Sequence, residues 1–100
     1  MELFAIRRRN AWKSTQELEA VAARSRSIGD QEMSHKVRWI RSYVLKEADG
    51  TLGSVCIYQA VSPEAIREHA QRVGMPADEI VPVAATVVVR EDPRALEKAA

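Results

Sequence analysis

Apolar and polar positions along the chain switch between a period of two and a period of three to four, and the switches mark its elements. Leu3 to Arg8 is a short run of strand formers, followed by Asn10 and a Ser14-Thr15-Gln16-Glu17 segment with the spacing of a capping box. Leu18, Val21, Ala22 and Ser25 then recur at helical steps, and Gly29 predicts the helix stop. Asp30 to Lys36 reads as a polar connection. Val37 to Lys46 and Leu52 to Ala60 are strand-like runs joined through Asp49-Gly50, a dipeptide whose tolerance of positive φ predicts a tight hairpin. Ser62-Pro63 supplies an N-cap and a proline at the first helical position. Ala65, Ile66, His69, Ala70 and Val73 form one stripe, which Gly74 and Pro76 end. Ile80 to Val89 is β-branched and predicts a fourth strand, in which Pro82 implies a bulge, an edge position or a late start. Residues 1–90 therefore read as one domain and 91–100 as a tail, either a short helix begun at Asp92-Pro93 or a disordered end.

Strand, helix, strand, strand, helix, strand is the split βαβ order of an α+β, ferredoxin-like sandwich, with both helices on one face of a four-stranded antiparallel sheet. With Asp49 and Gly50 as the two central turn residues, Tyr43 stands opposite Cys56 and Arg41 opposite Tyr58. Alternation adds Trp39 to that face and sends Ile40, Val44, Val55 and Ile57 to the other. Two helices cover one face only. The face holding Trp39, Arg41, Tyr43, Cys56 and Tyr58 is therefore expected to pack against a second subunit, in a dimeric α/β-barrel-type assembly, or to fold around a ligand.

Composition supports a small globule that gains from pairing. The chain has 100 residues, 46% apolar and 29% charged, and a domain this short buries a modest share of its surface alone. A formal net charge of +1 gives no broad field for nucleic acid or an anionic membrane, so neither is expected as a partner. Arg7-Arg8-Arg9 reads as a solvated strand exit rather than a phosphate clamp. The single cysteine, Cys56, forms no intrachain disulfide, and the first residues lack the pattern of a signal peptide; both point to the cytoplasm. No apolar stretch approaches the roughly 20 residues that span a bilayer.

Candidate chemistry is sparse. The chain contains no phosphate-binding glycine loop, paired-cysteine zinc motif, nucleophile elbow or recognisable pair of catalytic carboxylates. Cofactor-free α/β-barrel enzymes also lack such motifs, so catalysis stays open. His69 can serve as a metal ligand or proton carrier, or lie buried and satisfied by a backbone carbonyl. Cys56 and His69 would make a soft ligand pair, but the predicted register puts the backbone layer between them. The face of Trp39, Arg41, Tyr43, Cys56 and Tyr58 suits either a small planar or anionic ligand or a dimer seam, and a buried Arg41 would need an acidic partner or an anionic ligand.

Three segments point to a family: Val37-Arg38-Trp39-Ile40-Arg41-Ser42-Tyr43-Val44; Cys56-Ile57-Tyr58-Gln59-Ala60; and Ser62-Pro63-Glu64-Ala65-Ile66-Arg67-Glu68-His69, running on to Gly74-Met75-Pro76-Ala77-Asp78-Glu79-Ile80. Together they resemble the small bacterial nickel-binding-protein-like domains. That resemblance implies a ferredoxin-like homodimer and nickel, or another divalent transition metal, as ligand. In this chain, whose only histidines are His35 and His69, the residue it singles out is His69. The leading expectation is a non-enzymatic dimeric metal-binding protein; the alternative is an enzyme or organic-ligand binder that uses the aromatic face.

Overall fold

The computed structural model describes residues 1–93. The element order is β1 (Glu2–Trp12), α1 (Thr15–Gln31), β2 (Val37–Lys46), β3 (Leu52–Ala60), α2 (Pro63–Val73) and β4 (Glu79–Pro82). The sheet is antiparallel in the order β2-β3-β1-β4, and both helices pack on one face, which gives the ferredoxin-like arrangement. Phe4 and Ile6 of β1, Val37 of β2, Cys56, Tyr58 and Ala60 of β3, Met33 and the stripe Ala65, Ile66 of α2 form the core between sheet and helices. No helix among the described residues is long and apolar enough to cross a membrane.

The helix signals are realised atom by atom. Ser14 Oγ accepts from the Glu17 amide at 3.2 Å, and Ser62 Oγ from the Ala65 amide at 3.1 Å. Gly74 closes α2 at φ 85°, its amide donating to the Ala70 carbonyl. Gly29, expected as the stop of α1, lies inside it, because the helix runs on to Gln31. Its role is clearance: a Cβ there would stand 3.4 Å from His69 Nε2, so the glycine lets α2 approach α1.

Two strands depart from expectation. β1 continues beyond Arg8 to Trp12 through a bulge at which Asn10 takes φ 49°, and the extra residues turn Trp12 back onto the helix side, where it is buried. Gly53 lies opposite this bulge, and a Cβ there would come within 2.5 Å of the Arg8 carbonyl oxygen and collide with the Glu47 carboxylate. β4 ends at Pro82, not Val89. It is an edge strand paired with β1, and proline withholds the ladder donor there. The following segment crosses the open sheet face, where Asp92 accepts from Arg41 Nη1 at 3.1 Å and from the Tyr43 hydroxyl at 2.6 Å. A final helix through Leu96 would lie outside the described residues.

The hairpin departs most consequentially. The Glu47 amide donates to the Thr51 carbonyl, so the loop has three residues, Ala48-Asp49-Gly50, with Gly50 at φ 88°. One residue more than a two-residue turn shifts the register by one and inverts the facing. Ser42, rather than Tyr43, stands opposite Cys56, and Arg41 stands opposite Ile57. A second irregularity between Trp39 and Arg41 returns Trp39 to the face of Cys56 and sets it opposite Tyr58, the place expected for Arg41.

Candidate functional site

These irregularities divide the expected cluster. Trp39, Cys56 and Tyr58 share the helix-covered face, whereas Arg41 and Tyr43 lie on the open one with Val55 and Ile57. Cys56 and His69 are consequently on the same side of the sheet, not separated by it. Tyr58 links the two helices to this face: its hydroxyl and Ser25 Oγ of α1 are 3.2 Å apart, and its ring lies 5.6 Å from that of His69.

A cavity of about 610 Å³ opens between α1 and the β2–β3 end of the sheet. Its size falls in the range of about 300–1,000 Å³ common for small-molecule sites. Leu18, Val21 and Ala22 of α1 line one wall, and Trp39, Ser42, Cys56 and Tyr58 the other, with Trp12 and Arg8 completing it. The Trp39 and Tyr58 rings are nearly parallel, 9° between planes and 6.1 Å between centroids. The polar groups on that wall satisfy one another. Trp39 Nε1 donates to Ser42 Oγ at 2.8 Å, and Ser42 donates on to Cys56 Sγ at 2.9 Å. Burial pushes the Tyr58 phenol above its ordinary pKa, so it remains a neutral hydroxyl.

Arg8 is the exception. Alternation from Phe4 and Ile6 brings its side chain to the helix face, where the residue is only 1% exposed. Nη1 donates to the Pro76 carbonyl at 2.6 Å, and the guanidinium carbon lies 5.9 Å from the Tyr58 ring centroid. Nη2 has no hydrogen-bond partner, and no carboxylate among the described residues forms an ion pair with this arginine. Sequence reasoning missed Arg8 by placing it within a solvated charge run; the signal that would have found it is the Phe4-Ile6-Arg8 alternation.

His69 is 1% exposed. Its Nε2 lies 3.0 Å from the Ser25 carbonyl, the buried and satisfied geometry weighed above, while Nδ1 has no partner. Because that carbonyl can only accept, Nε2 carries the hydrogen. Burial lowers the imidazole pKa, and so keeps the ring neutral.

A family model described as Nickel responsive protein SCO4226-like matches residues 4–83. The chain belongs to that family. No curated protein matches it. The crystal structure of SCO4226 from Streptomyces coelicolor A3(2) is similar in fold, with a TM-score of 0.67 at 21% identity, covering 85% of this chain and 99% of that one. In this member of the SCO4226-like family, no group of three or more His, Cys, Asp or Glu side chains converges among the described residues. His69 offers one free nitrogen inside a packed core, so the described residues of a single copy do not assemble a nickel coordination sphere.

Proposed function

We propose that this protein is a small binding protein whose ligand occupies the cavity between α1 and the β2–β3 end of the sheet. The observation that carries the reading is a cavity walled by Trp39 and Tyr58, in which Trp39, Ser42 and Cys56 are hydrogen-bonded to one another while Arg8 Nη2 is buried without a partner. Among the described lining residues no nucleophile, base and orienting group converge as catalysis would need, so binding is the simpler role. A fragment screen read by two-dimensional amide NMR tests it. Hits should move the Trp39 indole and the Leu18 and Val21 amides, and Ala22→Phe, which fills the cavity, should abolish them. Hits scattered elsewhere and indifferent to Ala22→Phe would refute the reading.

Nickel, or another divalent transition metal, is the second reading, and the family match favours it. His69 Nδ1 is the unpartnered donor that would serve as a ligand. The remaining ligands would have to come from outside the described residues of this chain. Titration calorimetry with a nickel salt decides: uptake lost in a folded His69→Ala variant supports it, and no uptake, or uptake unchanged by the substitution, counts against it.

A further inference from the structure

Resting on the cavity reading, we infer that the ligand is a small organic carboxylate on a planar apolar body, with Arg8 as its counter-ion. A guanidinium is a cation with five N–H donors and no acceptor. Buried charge is costly unless paired, and the partners present, the Pro76 carbonyl and the Tyr58 ring, are neutral. Neighbouring Arg7 shows the usual solution, a two-pronged pairing with Glu47. Arg8 lacks an equivalent among the described residues and lines the cavity instead.

The rest of the lining narrows the ligand. Ser42 and Cys56 are hydrogen-bonded to each other, and Tyr58 to Ser25, which leaves Arg8 Nη2 as the buried donor without a partner among the described lining residues. Acidic residues at the rim do not supply the missing charge: Glu19 and Asp30 are exposed, and Asp30 is 3.7 Å from Arg26. The parallel Trp39 and Tyr58 rings and the side chains of Leu18 and Val21 favour a flat, apolar body behind the carboxylate. A carboxylate supplies the negative charge that Arg8 Nη2 lacks as a partner; a neutral amide of the same shape does not.

Both tryptophans, Trp12 and Trp39, line the cavity, so their fluorescence reports its occupancy. The probes are benzoate and phenylacetate, each against its neutral amide, with binding located by amide NMR. The carboxylates should quench the tryptophans saturably and move the Leu18 and Val21 amides, with the amides binding about tenfold or more weaker. Arg8→Met should remove that preference, and Arg8→Lys should restore part of it. Should Arg8→Met fail to fold, the acid-to-amide comparison on the natural chain decides alone. Equal binding of acid and amide in the cavity would overturn the carboxylate assignment and leave the cavity reading standing. No response of the cavity to any probe would overturn both, and carboxylate binding at surface arginines, unaltered by Arg8→Met, would overturn the role given to Arg8.

Discussion

Arg7 and Arg8 are adjacent in the chain, but their side chains occupy opposite faces of the sheet. Arg7, on the open face, meets Glu47 with Nη2 at 2.8 and 3.0 Å and also donates to the carbonyls of Arg8 and Ser54. Glu47 is drawn below the usual carboxylate range first by Arg7 and then by the Asn10 amide. Arg8, beneath the helices, is more deeply buried and has only neutral partners. The open face thus matches its charges internally and leaves them in reach of water, where an ion pair contributes modestly. The covered face holds an unmatched cation where low polarity makes it most consequential. Strand alternation alone produces this difference, which is why a run of three arginines should be read residue by residue.

The largest effect is expected where the two environments meet. Gly53→Ala would drive a methyl group against the Arg8 carbonyl and the Glu47 carboxylate, and should cost about 3 kcal/mol in denaturant unfolding. A cost no larger than that of an ordinary surface substitution would show that the crossing is looser than described. Next comes pH. Because burial depresses the His69 pKa in the folded state, the unfolded chain binds a proton first as pH falls below the ordinary value of 6.5. Stability should accordingly be lost from that point downward, by at most about 1.4 kcal/mol per pH unit, until the folded-state pKa is also passed. A His69→Phe variant should lack this component of the pH slope, and an unchanged slope would assign the loss to other groups.

The smallest effect tests the comparison through its sign. In the ligand-free protein, Arg8→Met removes an unmatched buried charge and should be neutral or stabilising by up to about 1 kcal/mol. Arg7→Met should be mildly destabilising, since it strands the half-buried Glu47 carboxylate. Equal losses from both substitutions in parallel thermal melts would mean that Arg8 is satisfied in the same way as Arg7.

The fold was legible because each element carried a local signal: capping at Ser14 and Ser62, the stripe through His69, and the glycine at the hairpin. Facing was less legible, since it depends on single residues. Including Ala48 in the hairpin loop turned Arg41 and Tyr43 away from Cys56, and the irregularity beyond Arg41 returned Trp39 to it. Neither device has a strong signature in composition. β-branching from Val83 to Val89 exceeded what an edge strand interrupted by Pro82 could pair. Arg8 was hidden for a different reason: a charged residue on an inward position is read as solvent-facing until the alternation from Phe4 and Ile6 is given precedence. Gly29 reads as punctuation in the sequence, although its reason is the approach of His69, a contact that arises only in the tertiary fold.

A crystal structure of the protein grown with benzoate would show whether the cavity holds a carboxylate at Arg8. The aromatic ring should lie between α1 and the Trp39–Tyr58 wall, with a carboxylate oxygen in hydrogen-bonding distance of Arg8 Nη2. An empty cavity, or Arg8 Nη2 engaged by an acidic side chain of a second copy while benzoate binds elsewhere, would contradict it.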